Sequence, residues 1–151
     1  MSFQKLIPTL TYLGAIPFVV SASCIALNIA PIGIDAHHSF PAWEMILLTY
    51  GAIILSFLGG MHWGIALSKP DVHGALTRAL WSNAISLFAW LTLLIPSTWI
   101  ALSIQCFLFI ILWLSDIHFA RHKILPIWFA KIRTRITYIV TASLLLAVAT
   151  I

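Results

Sequence analysis

The sequence predicts an all-α, polytopic membrane protein of about five transmembrane helices, with an N-in/C-out orientation. Three observations predict it. Of 151 residues, 62% are hydrophobic and only 8% charged, with a mean hydropathy of +1.05, whereas a soluble domain carries roughly a quarter charged residues to cover its surface. The apolar residues gather into runs close to the ~20 residues that cross a hydrocarbon core. All eight Lys and Arg residues then fall on one side of the layer those runs define, as the positive-inside rule requires.

The runs are separable in order, within a single membrane domain covering 1–151. The first spans about 10–30, with Gly14 and Pro17 as bend points. A lone Lys5 precedes it and Ser21 spoils a lipoprotein-like cleavage box, so it reads as a retained anchor and not a leader. The second, 43–67, is the longest and cleanest; the third covers 76–95 and ends at Pro96; the fourth is 99–114. The last, 136–151, is short for a crossing, and a start near Pro126 would set its first turns in the headgroup layer. Lys5, Lys69, Arg78 and the five basic residues of 121–135 share one side; the loop 31–42, the turn around Ser97 and the C-terminus hold none. Trp43 and Trp99 mark the outer boundary, Trp63, Trp81, Trp113 and Trp128 the inner one, and Trp90 alone reads as deep.

This pattern excludes several function classes. The isoelectric point of 9.4 reflects membrane topology, because the basic residues are few and lie between apolar runs. GxSxG, phosphate-binding glycine loops and HExxH are absent, and four acidic residues leave paired-carboxylate chemistry almost no raw material. Cys24 and Cys106 lie in apolar runs without a CxxC, as small buried hydrophobes do. There is no internal repeat of the kind alternating-access transporters carry.

The second run holds the most specific local pattern. Ala52, Ser56, Gly60 and Gly64 recur every four residues and continue to Ser68. They lay down a small-residue groove where another helix can approach the backbone, inside the bundle or at an oligomer seam. His62 lies outside that groove with Gly59 on its own face. An ionisable group at that depth is expected to be neutral and bonded to a neighbour, or to serve as haem ligand, quinone donor, proton relay or metal ligand.

Topology brings further polar residues to the same inner boundary. Arg78, Trp81, Ser82 and Asn83 open the third run, and Ser115, Asp116, His118, Arg121 and His122 close the fourth. With His62 and Trp63 they form an expected inner-leaflet cluster, in which Asp116 meets Arg78 across the bundle or Arg121 locally. The cluster reads as a structural ion pair or as a pocket for a lipid or quinone head group. His62 and His118 would permit bis-histidine haem ligation, although no CxxCH occurs. On the outer side Asp35, His37, His38 and Glu44 are the alternative for a metal, against ordinary loop residues. The stretch 118–135 interleaves Phe119, Trp128 and Phe129 with cations, as an interfacial segment on anionic lipid or an acidic partner would.

The motif from Tyr50-Gly51-Ala52 to Leu58-Gly59-Gly60-Met61-His62-Trp63-Gly64 resembles a small family of uncharacterised bacterial and mitochondrial membrane proteins. That family includes vertebrate transmembrane protein 69. The resemblance continues in Arg78 with Trp81-Ser82 and in Leu125-Pro126-Ile127-Trp128-Phe129, followed by Arg133 and Thr137. It implies a multi-pass protein of the bacterial cytoplasmic membrane, or of the mitochondrial inner membrane in a eukaryote, and supplies no settled activity. The leading expectation is a non-catalytic accessory or assembly protein packed against a larger inner-membrane complex, with a respiratory complex as the expected kind. The alternative is a quinone-, haem- or lipid-binding protein using the cluster around His62. A small transporter or channel comes third.

Overall fold

The computed structural model describes residues 3–30, 33–35, 38–39, 42–70 and 74–151. Six helices follow in order: α1 (Phe3–Leu13), α2 (Ile16–Ala26), α3 (Trp43–Ser68), α4 (Ala75–Thr92), α5 (Thr98–Arg121) and α6 (Ile127–Thr150). Between α2 and α3, β1 (Gly33–Asp35) and β2 (His38–Ser39) pair antiparallel in a minimal hairpin. The expected outer-loop metal grouping of Asp35, His37, His38 and Glu44 lies, Glu44 apart, outside the residues whose side chains are described.

α1 and α2 form one crossing broken at Gly14, so the bundle has five columns. The break has a local cause. Pro17 has no N–H to continue the helical ladder, and the Ala15 N–H turns to the Tyr12 carbonyl at 3.0 Å. Tyr50 of α3 donates its hydroxyl to the Gly14 carbonyl at 2.9 Å. Phe18, just past the break, sets its ring against Tyr50 and Phe109 at 5.1 and 5.6 Å. Sequence and geometry thus pin the kink to the middle of the bundle.

α3 and α4 lie side by side, α5 contacts α3, α4 and α6, and α2 bridges α3 and α6. α3 and α6 share no extensive contact of their own, and below the kink α1 touches α6 only lightly. Leu47, Leu55, Leu102, Leu112 and Leu144 fill the core, whereas Ile53, Phe57, Leu87, Phe107, Tyr138 and Leu145 stand on the outside. A bundle apolar on its outer face as well as inside is built for lipid. Among the described residues four columns are long and apolar enough to span a membrane: Leu6–Ala26, α3, α5 and α6. α4, at 18 residues, is still about 27 Å long from its helical rise.

Three boundaries differ from the sequence reading. α5 runs on to Arg121, not ending at 114, and α6 begins at Ile127, at the earlier start near Pro126 and not at 136. The charged residues that mark loops in the sequence are helical here. The stretch 118–135 is therefore mostly the end of a helical hairpin. Its turn closes with Ile124 N–H on Phe119 O at 2.9 Å and Lys123 N–H on Ala120 O at 3.1 Å. Lys123 takes the left-handed φ of 59° that this helix stop requires. α4 ends at Thr92, so Trp90 sits in its last turn, near the boundary and not deep.

Candidate functional site

The site arises from helical register. On α3 the buried positions Leu48, Ala52, Leu55, Gly59, His62 and Ala66 succeed one another in steps of three and four. Leu102, Gln105, Phe109, Leu112 and Asp116 do so on α5, and Ala130, Arg133, Thr137, Val140, Leu144 and Ala147 on α6. That period keeps one stripe toward the neighbouring helices. His62, Asp116 and Arg133 consequently point into the core, where they are 1%, 2% and 3% exposed. His62 Nε2 donates to Asp116 Oδ1 at 2.9 Å, and Arg133 Nε donates to Oδ2 at 2.8 Å. One carboxylate ties α3, α5 and α6 together.

Hydrogen bonding also assigns the histidine's proton. Its Nδ1 is buried without a partner among the described residues. With a carboxylate oxygen accepting in the bond to Asp116, the proton of that bond sits on Nε2. The charges of Asp116 and Arg133 offset one another within the network. All of its members lie too deep for water, and their bonds lock helices together.

Phe119 is the wall between this network and a second, shallower site. Its ring stands 5.1 Å from His62 and 5.7 Å from His118, and the Arg78 guanidinium lies over it at 5.8 Å. Beyond it opens a groove of about 450 Å³ lined by Arg78, Trp81, Ser115, His118 and His122. There Trp81 donates to Ser115 Oγ at 3.2 Å, and the His118 and His122 rings lie 4.4 Å apart.

The expected inner-leaflet cluster therefore divides. His62 and Asp116 belong to the buried network; Arg78, Trp81 and His118 belong to the groove. Trp63 is 41% exposed and faces outward. Asn83 is exposed too and donates to Ala79 O of its own helix at 3.1 Å. Neither joins the site, because each is about 100° around its helix from a buried neighbour, His62 or Ser82. Asp116 takes neither Arg78 nor Arg121 as its cation but Arg133. The sequence reading places Arg133 in the interfacial basic stretch. The signal that finds it is its register with Ala130, Thr137 and Val140. The bis-histidine pair is not assembled: His62 gives its Nε2 to Asp116, and Phe119 packs against both rings. Among the described residues no three His, Cys, Asp or Glu side chains gather as a metal site.

A family model described as "Protein of unknown function (DUF3429)" matches residues 3–149. The chain belongs to that family. The match takes in every residue of both sites and is consistent with an uncharacterised family. No curated protein and no solved structure matches the chain.

In this DUF3429 protein the glycines of α3 fall into two sets. Gly51 and Gly59 are close-approach positions. A Cβ on Gly51 would collide with Gln105 Oε1, and one on Gly59 would come within 3.1 Å of Ser82 O and 3.2 Å of Ser86 Oγ. Gly60 and Gly64 have nothing within 4 Å of a Cβ position. Of the expected packing groove, Ala52 is buried and Ser56 half-buried, while Gly60 and Gly64 face outward. The face that packs inside the bundle is instead the one carrying Gly51, Gly59 and His62. The sequence spacing of four misleads because the buried stripe alternates three and four.

Proposed function

We propose that this protein is a non-catalytic accessory or assembly component of an energy-coupling membrane. That membrane is the bacterial cytoplasmic membrane, or the mitochondrial inner membrane if the chain is eukaryotic. In this reading it packs against a larger membrane complex, of respiratory type, through the outward face of α3. The resemblance of the motifs to a family that includes transmembrane protein 69 supports the setting. The positive-inside rule sets the basic end in the cytoplasm or matrix.

The observation that carries the reading is the open pair Gly60 and Gly64. A glycine inside a helix costs about 1 kcal/mol relative to alanine. Gly51 and Gly59 offset that by letting a neighbour in; Gly60 and Gly64 gain nothing within this chain. A transmembrane helix of another protein, laid against them, would supply the missing close contact. The buried network fits a structural role as well, since its groups are bonded to each other and shut off from water.

Mild detergent extraction of native membranes tests this. The wild-type chain is expected to co-migrate with a larger complex on native gels, and Gly60→Leu/Gly64→Leu to release it with an unchanged melting temperature. A wild-type chain found only as free monomer, or only with copies of itself, overturns the reading. So does a double variant that keeps its partner.

A further inference from the structure

Between α1, α3 and α6, with Phe109 of α5 at its floor, lies a cavity of about 440 Å³. Its volume lies within the roughly 300–1,000 Å³ of small-molecule pockets. It exists because Gly14 and Pro17 swing α1 away below the kink, where α3 and α6 are already apart. Its walls are almost wholly apolar, with Phe18, Leu58, Phe109 and Ile136 among them. Leu10 and Phe57 belong to the lining yet are 56% and 66% exposed. They mark a mouth that opens sideways, between α1 and α3, onto lipid.

Arg133 and Thr137 are polar exceptions in that wall. They stand one turn apart on the same face of α6, and each carries a buried atom without a partner among the described residues: Arg133 Nη2 and Thr137 Oγ1. Thr11, the other hydroxyl there, is occupied by Ile7 O at 2.8 Å. Buried polar groups left unbonded are rare in native folds and need a reason. Arg133 Nη2 can only donate, and a threonine hydroxyl can donate beside it, so the missing partner is an acceptor. Its charge follows from the network. Asp116 already neutralises Arg133, so an anion would bring an uncompensated charge into an apolar wall.

We propose that this cavity binds a lipophilic molecule with an uncharged carbonyl head. The head accepts from Arg133 Nη2 and Thr137 Oγ1 after a small rotation of those side chains, and its apolar body leaves between Leu10 and Phe57. A quinone and a neutral acyl ester share this chemistry. The site is distinct from the docking face at Gly60 and Gly64, and either reading stands without the other.

The test uses the purified full chain in detergent with three probes: a short-chain alkyl benzoquinone, a monoacylglycerol and laurate. Binding is followed by calorimetry and native mass spectrometry. At least one neutral probe is expected to bind at one site, more tightly than laurate, and the preferred one identifies the source. Thr137→Val, close in shape and leaving both groups of the ion pair in place, is expected to weaken it about five- to tenfold. Leu58→Trp, which fills the cavity, is expected to abolish binding while the melting temperature holds. Binding of laurate as tightly as the neutral probes, no binding by any probe, or binding indifferent to both variants overturns the proposal.

Discussion

Both carboxylate oxygens of Asp116 are engaged in an apolar interior, Oδ1 by His62 and Oδ2 by Arg133. The pair's own worth is modest, since taking two ions out of water offsets most of their attraction. Breaking it is another matter. Arg133→Leu leaves a buried carboxylate with one neutral donor, and a loss of about 3–5 kcal/mol is expected. Asp116→Leu strands the guanidinium and should lose a similar amount. The double variant Asp116→Leu/Arg133→Leu removes both charges and should be clearly more stable than either single one. Unfolding in mixed micelles, run as a double-mutant cycle, measures this. Single variants as stable as wild type would mean that the carboxylate finds water, contrary to its burial. Of these residues the sequence makes His62 and Asp116 legible, as ionisable groups inside apolar runs. Arg133 is hidden because it stands among Lys131 and Arg135, and a lone charge class cannot tell a buried arginine from its solvated neighbours. The three-and-four register separates them, as does the motif that sets Arg133 with Thr137.

Elements are held together in the other half of the bundle by an amide. Gln105 of α5 is fully buried and donates through Nε2 to Leu48 O of α3 and Thr92 Oγ1 of α4, each at 2.9 Å. Thr92 passes its own proton to Ala89 O at 2.6 Å. The amide reaches Leu48 across the space left by the missing Cβ of Gly51. Gly51→Ala should therefore displace the amide and unmake both bonds, lowering stability by about 2–3 kcal/mol. Gly60→Ala, on the open face of the same helix, should instead be neutral or gain up to about 1 kcal/mol. Thermal unfolding of the two variants side by side checks the contrast; equal effects would refute the assignment of faces. The existence of the helices was readable from apolar runs, and α3 to within a residue or two. The C-terminal end of α5 was not, and the start of α6 was legible only as the earlier option near Pro126. Charge is a poor loop marker there: Asp116 and Arg133 neutralise one another inside the helices that bear them, and Arg121, Lys131 and Arg135 point outward from helical positions.

At the scale of the whole molecule, the buried network also decides how many times the chain crosses. Hydropathy alone supports four spans among the described residues and leaves α4 uncertain. Geometry removes the uncertainty. His62 sits six residues before the end of α3, Asp116 five before the end of α5, and Arg133 six after the start of α6. Each is thus about 8–9 Å along its helix from that end, and their contact levels the three ends at one depth. α3 and α5 then run in the same direction, so α4 between them must return across the full thickness. Five crossings follow, with the chain's two ends on opposite faces. Lys5, Lys69, Arg78 and the basic residues of α5 and α6 all stand at the N-terminal face, as an inside face demands. Alkaline phosphatase fused after Ile151 should accordingly be active in a bacterial host, and the same reporter fused after Lys123 inactive. With only four crossings the C-terminal fusion would be silent. That result would also require α3 and α5 to run in opposite directions, pulling His62 and Asp116 to opposite faces of the membrane.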